Sequence, residues 1–164
     1  MTEAVAVQPV RKSIEVELNP LDAFQLFTYD MAAWWPSTHH IAKTPFLEIV
    51  IEPRAGGRWF EVDRDGSTCQ WGSVLTWDPP NKVVFAWGLQ GNWEFSPDPD
   101  KSSEVEVRFT RLGDSATLVE LEHRHFERHE AGAKIAESVD QGWTPVLAAF
   151  QALARQRSAG NRSK

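Results

Sequence analysis

Residues 56–87 read GGRWFEVDRDGSTCQWGSVLTWDPPNKVVFAW, and three turn signals divide the stretch: Gly56-Gly57, Asp65-Gly66 and Asp78-Pro79-Pro80-Asn81. Glycine supplies positive φ, and proline fixes φ and cannot pair in mid-sheet, so turns this closely spaced fold the chain back on itself repeatedly. The segments between them, Arg58 onward, Trp71 to Trp77 and Val83 to Trp87, are expected to be strands of an antiparallel meander. These strands carry large rings. The concave side must then either be filled by equally large groups or enclose a cavity.

Working outward, Ile14, Val16 and Leu18 alternate with Ser13, Glu15 and Glu17, which predicts a first strand within Val5 to Glu17. Asn19-Pro20 starts a helix, with Asn as N-cap, Pro at the first helical position and Asp22 near the positive end of the dipole. Leu21, Phe24 and Phe27 follow at spacings of three, and a second helical piece opens at Asp30 and ends before Pro36, after Trp34-Trp35. Alternation returns from Phe46 to Pro53. It is clearest in Glu104 to Phe109 and Val119 to Arg124, which predicts strands with one face buried and one wet. Glu104, Glu106, Arg108, Glu120, Glu122 and Arg124 read as a solvated face with cross-strand ion pairs. Ala131 to Gln141 predicts a short helix, and Thr144-Pro145 restarts a longer one to about Arg157, with Val146, Leu147, Phe150, Leu153 and Ala154 as its apolar stripe. Strands first and helix last predict an α+β fold in one domain spanning 1–164, with a core over about 10–157 and a polar, flexible tail over 158–164.

Composition narrows the function classes. A chain of 164 residues can bury about 68–70% of its unfolded surface without metal or disulfide. Cys69 is the single cysteine, which excludes an internal disulfide. Lys plus Arg number 17 against 23 Asp plus Glu, and a net charge of −6 argues against nucleic acid as a partner. With no signal peptide or long apolar run read, the expected location is the cytoplasm, without stable membrane insertion.

Taken together, Gly56-Gly57-Arg58-Trp59, Asp65-Gly66, Gly72-Ser73-Val74-Leu75, Trp77-Asp78-Pro79-Pro80, Val83 to Trp87 and Gly142-Trp143 resemble the heat-shock-protein ATPase activator family over roughly Val10 to Arg155. That family belongs to the START-like, birch-pollen-allergen-like helix-grip superfamily. The resemblance implies a curved antiparallel sheet of about seven strands gripping a long C-terminal helix, with two short helices after the first strand. It also implies a cavity between sheet and helix that in many members binds lipids, sterols, polyketides or other apolar molecules. No catalytic motif defines the family, and no extension is read that would supply the separate chaperone-contacting domain of the eukaryotic cochaperones.

The expected function is binding of a small apolar or lipid-like molecule in that cavity. A small enzyme of cyclase or hydrolase type in the same cavity and a chaperone-associated interaction module are the alternatives. The cavity candidates are Trp59, Glu61, Trp71, Trp77, Phe85, Trp87, Phe109, Leu121, His123, His125, Trp143 and Phe150. Strand parity turns His123 and His125 toward the covered face beside Leu121. Glu61, His123 or His125 would orient the ligand's polar group, or act as acid or base if burial shifted its pKa. The histidines fall in two clusters, His39-His40 and His123/His125/His129, but no metal-ligand signature accompanies them, so neither metal nor cofactor is expected. Cys69 has no neighbouring base, and Gly56-Gly57 lacks the strand-to-helix context and the lysine of a phosphate loop. Trp34-Trp35-Pro36 reads as a lid over the cavity mouth, a seal at the helix ends, or an exposed pair suited to a homodimer contact.

Overall fold

A computed structural model describes residues 8–36, 46–90, 94–129 and 131–162, with the side chains of 159–162 excepted. Seven strands form one antiparallel sheet: β1 (Val10–Val16), β2 (Phe46–Ile51), β3 (Arg58–Asp63), β4 (Thr68–Asp78), β5 (Lys82–Trp87), β6 (Ser103–Gly113) and β7 (Ala116–Arg124). The strand order is β1-β7-β6-β5-β4-β3-β2, so β2 to β7 are a continuous meander and β1 closes against its last strand. The short helices α1 (Pro20–Thr28) and α2 (Met31–Trp34) fall between β1 and β2, and α3 (Gly132–Arg162) follows β7. This curled half-barrel around a terminal helix is the helix-grip fold.

Local chemistry accounts for the element ends. The Asn19 side chain accepts from the Asp22 backbone N–H at 2.9 Å, capping α1. Gly66, with φ of 86°, makes the β3–β4 turn. The helix expected to restart at Thr144 is instead one continuous α3 that carries Pro145 inside it. Pro145 and Gln141 lie on the exposed side, so the carbonyl that loses its backbone donor is next to solvent, where water can serve it. The inner stripe runs unbroken from Ile135, Val139 and Trp143 to Val146, Leu147, Phe150 and Ala154.

Strand β4 departs from simple alternation at two places. Register shifts occur between the β3 partners Trp59 and Phe60, and between Val74 and Thr76 on β4 itself. With an extra residue at each bulge, Trp71 and Val74 are buried and Trp77 packs against the core at a spacing of three, while Leu75, which strict alternation would turn inward, is exposed. Gly72 sits against the next strand, where a Cβ would fall 1.8 Å from the Ala86 carbonyl oxygen. Gly72→Ala is therefore expected to lower stability by about 3 kcal/mol or more. A urea midpoint within error of the parent would contradict the close approach.

Candidate functional site

The rings inside the sheet divide into two groups. Beside α1, Phe24 contacts Trp77 and Phe109 at centroid distances of 5.0 and 5.3 Å, and Phe27 contacts Phe109 and Phe150 at 5.9 and 5.3 Å. Trp34 joins them at 5.0 Å from Phe150, and its indole N–H donates to the Leu26 carbonyl at 2.8 Å. This end is dry packing. It takes in three of the expected cavity residues, Trp77, Phe109 and Phe150.

The other end mixes rings with buried polar groups. Trp59 lies 4.5 Å from Phe85, 5.3 Å from Trp71 and 5.7 Å from Trp87. Trp35 reaches Trp71 at 5.1 Å and Trp143 at 5.8 Å, and Trp87 reaches Trp143 at 6.0 Å and His123 at 5.2 Å. Glu61, next but one to Trp59 on β3, is fully buried, and its Oε1 accepts from the Trp71 indole N–H at 2.9 Å. Leu121 is buried on β7 just before His123. Trp59, Glu61, Trp71, Phe85, Trp87, His123 and Trp143, all cavity candidates from the sequence, thus lie together at this end.

Two indole N–H groups here, on Trp59 and Trp87, are buried with no hydrogen-bond partner among the described residues. An unpaired buried donor costs about 1–3 kcal/mol, so two in one small region require a reason.

Both nitrogens of His123 are engaged within the protein: Nδ1 accepts from the Trp143 indole N–H at 3.2 Å, and Nε2 lies 2.8 Å from Ser103 Oγ. Ser103 Oγ also lies 2.8 Å from His129 Nε2, and His129 Nδ1 lies 3.0 Å from Gln90 Oε1. Sequence reasoning placed His129 only in a histidine cluster and Trp35 only in a lid or seal, and it missed Ser103 and Gln90. A serine on the inward parity of β6, in line with Val105, Val107 and Phe109, was the available signal.

His125 corrects the parity argument. Strand β7 ends at Arg124, and His125 adopts left-handed backbone with φ of 67°, which turns its ring outward to Glu127 Oε1 at 3.2 Å. His129, after a single 3-10 turn, occupies the buried position instead. Trp34 and Trp35 are also buried, because their rings close over Phe150 and over Trp71 and Trp143, so they form no exposed pair for a homodimer contact.

Burial, and secondarily the His129 ring, holds the His123 imidazole well below the usual histidine range; burial does the same to His129 to a lesser degree. Burial and then the Glu61, Asp63 and Asp65 carboxylates push the Cys69 thiol up, away from the thiolate a nucleophile needs. Among the described residues no group of three His, Cys, Asp or Glu side chains converges to hold a metal; His39 and His40 lie outside them. On the opposite face of the sheet, a groove of about 360 Å³ is lined by Arg11, Lys12, Glu106, Arg108, Glu120 and Glu122. Its charges pair with one another, Arg11 with Glu122 and Arg108 with Glu106, as expected of a solvated face; Glu106 is nonetheless buried beneath Arg108 and Arg124.

The model described as activator of Hsp90 ATPase homolog 1-like protein matches residues 18–155. The chain belongs to that family. Among solved structures, the chain is 38% identical to an anthrahydroquino-γ-pyrone synthase, Txn09, covering 90% of this chain and 97% of that one with a TM-score of 0.66. It is 31% identical to CalC, a self-sacrificing resistance protein from Micromonospora echinospora, covering 89% and 93% with a TM-score of 0.66. The Aha1 dimer from Colwellia psychrerythraea, 16% identical with coverage of 88% and 94% and a TM-score of 0.58, shares the fold. No curated protein matches the chain. No helix among the described residues is long and apolar enough to cross a membrane.

Both buried histidines are neutral in the folded family member described here, whereas in the unfolded chain they take up protons below about pH 6.5. The unfolded state then binds more protons, so stability present above that pH is lost as pH falls toward the lowered folded values. The expected slope between pH 6.5 and 5.5 is up to about 1.4 kcal/mol per pH unit for each ring. In His129→Gln it should fall, by at most about half because the His129 shift is the smaller of the two, as read by urea unfolding across this window; an unchanged slope would contradict the lowered His129 value.

Proposed function

We propose that the polar end of the aromatic interior binds a small, ring-bearing apolar molecule that presents hydrogen-bond acceptors to the Trp59 and Trp87 indole N–H groups. The unpaired pair of donors carries this reading. Indole faces supply the apolar contact area, and two donors fix the orientation, which is the usual division of labour in small-molecule sites. The rings at this end contact one another edge to face or tilted, so a ligand enters by turning rings such as Trp35 and Trp143 aside, not by filling a rigid slot. His123 is not among the orienting groups in this state, because both its nitrogens are already engaged.

The 38% identity to a synthase favours a second reading, in which the same end of the interior moves protons on an aromatic substrate during ring closure. Conversion of an anthrahydroquinone precursor to a γ-pyrone product, followed by absorbance after chromatography, tests it. Loss of conversion in Glu61→Gln with binding retained supports catalysis, and no conversion by the parent protein contradicts it. A chaperone contact has less support, since the heat-shock activator structures at 16% and 20% identity share only the fold.

Fluorenone and fluorene separate the acceptor requirement from shape, because they differ by one carbonyl oxygen. Fluorenone is expected to quench tryptophan fluorescence saturably and to bind at least about fivefold more tightly than fluorene, the value of one ordinary hydrogen bond. Trp59→Phe and Trp87→Phe, which keep a ring and remove the N–H, should each weaken fluorenone by a similar factor. Equal binding of the two probes, or no loss in either variant, would contradict the proposal.

A further inference from the structure

The bonds around His123 define one chain whose direction is set independently from both ends. At the inner end, the Trp143 indole nitrogen is a donor only, so the His123 Nδ1 that it meets at 3.2 Å must be the bare, accepting nitrogen. Neutral His123 then carries its proton on Nε2 and donates to Ser103 Oγ at 2.8 Å. At the outer end, Gln90 Nε2 donates to the carbonyls of Gly88 and Lys101 at 2.9 and 2.8 Å, which fixes the amide and turns Oε1 to His129. His129 must therefore donate from Nδ1 and accept at Nε2. Its Nε2 does accept, from the Ser103 hydroxyl at 2.8 Å and from the Ser103 backbone N–H at 3.2 Å. The two derivations meet at Ser103 and agree: the hydroxyl receives from His123 and gives to His129.

We propose that His123, Ser103 and His129 form a proton relay between the aromatic interior and the Gln90 end of the sheet. The proposal rests on the interior being a binding site, since a ligand hydroxyl supplies the relay's inner end. With that hydroxyl in the place of the Trp143 N–H, its O–H bond breaks and an N–H bond forms at His123 Nδ1. The His123 Nε2–H breaks as a new O–H forms on Ser103, and the original Ser103 O–H breaks as an N–H forms on His129 Nε2. One proton has moved, leaving an oxyanion on the ligand and an imidazolium at His129; the bonds from the ligand through His123 and Ser103 to His129 have reversed direction, while His129 Nδ1 still donates to Gln90. The Ser103 backbone N–H opposes the charged form of His129, which favours return of the proton once the ligand reacts or leaves. Charged groups on the adjoining elements are engaged elsewhere: Arg128 with Glu104 at 3.0 Å, Arg124 with Glu104 and Glu106, and Glu127 with His125. From α3, the side chain that meets His123 is the uncharged Trp143.

The reversal has a signature that needs no ligand. If acid places a proton on His129 Nε2, the Ser103 hydroxyl can no longer donate to it; in the relay the hydroxyl turns to His123, which shifts its proton from Nε2 to Nδ1 and releases the Trp143 N–H, whereas without a relay Ser103 Oγ accepts from both rings and His123 keeps its Nε2 proton. Long-range ¹H–¹⁵N spectra of protein labelled at histidine should show His123 protonated on Nε2 and His129 on Nδ1 at pH 7.5. On acidification, proton uptake by His129 and the tautomer change of His123 should share one midpoint. In Ser103→Ala the two should separate, with His123 keeping its Nε2 proton, and Ser103→Thr should restore the coupling. The opposite tautomers, or separate midpoints in the parent protein, would overturn the relay, and those parent spectra decide the matter even if a variant fails to fold. Coupling that survives in folded Ser103→Ala would overturn it too. Coupled histidines in a protein that binds no fluorenone would uphold proton transfer along His123, Ser103 and His129 and overturn the ligand hydroxyl as its source, so the two failures are distinguishable.

Discussion

Polar groups sealed inside a wall of aromatic rings are the constraint on which the rest of this molecule depends. An indole N–H, a carboxylate or an imidazole removed from water needs a partner, and the interior can satisfy most of them only by pairing them with each other. Glu61 takes the Trp71 N–H, and His123 takes the Trp143 N–H while Ser103 and His129 complete its other side. Those bonds pin β3 to β4, β6 to β7 and β7 to α3. Trp59 and Trp87 stand between the two pinned groups with their donors unpaired, so the network that holds the interior together also marks where it is incomplete.

The fold separates this polar end from the end that supplies plain packing. Phe24, Phe27, Phe109 and Phe150 meet edge to face beneath α1 and the later turns of α3, with Trp34 tilted against Phe150; the edge-to-face pairs add about 0.5–1.5 kcal/mol each beyond simple burial. The two ends thus differ in kind, one packed from rings alone and the other from rings interleaved with buried polar groups. The bulges in β4 make the arrangement possible by turning Trp71 inward beside Glu61 and Trp77 inward beside Phe24.

Much of this was legible in the sequence, for identifiable reasons. Turn chemistry at Gly66 and Pro79-Pro80, the Asn19 cap and the alternation of β6 and β7 are local signals, and local signals survive tertiary packing. The inward placement of Trp71 and Trp77 was reached by parity although the actual spacing works through two bulges, which no local signal revealed. Parity failed at His125 because the strand ends one residue earlier, and a left-handed residue resets the direction of every side chain beyond it. Pro145 looked like a boundary because sequence alone does not say that Gln141 faces water. The chain from Gln90 to Trp143 joins residues far apart along the sequence, so only the folded sheet brings them into one line.

Membership of the activator of Hsp90 ATPase homolog 1-like family sets the architecture, and the unpaired donors of Trp59 and Trp87 carry the proposal made for this member's interior. The most direct measurement is a ¹H–¹⁵N spectrum of protein labelled at its eight tryptophans, recorded with and without fluorenone. The account predicts downfield shifts of the Trp59 and Trp87 indole resonances as they gain an acceptor, with the Trp34 indole, already bonded to Leu26, nearly still. Resonances of Trp59 and Trp87 that do not move while fluorenone binds would contradict it.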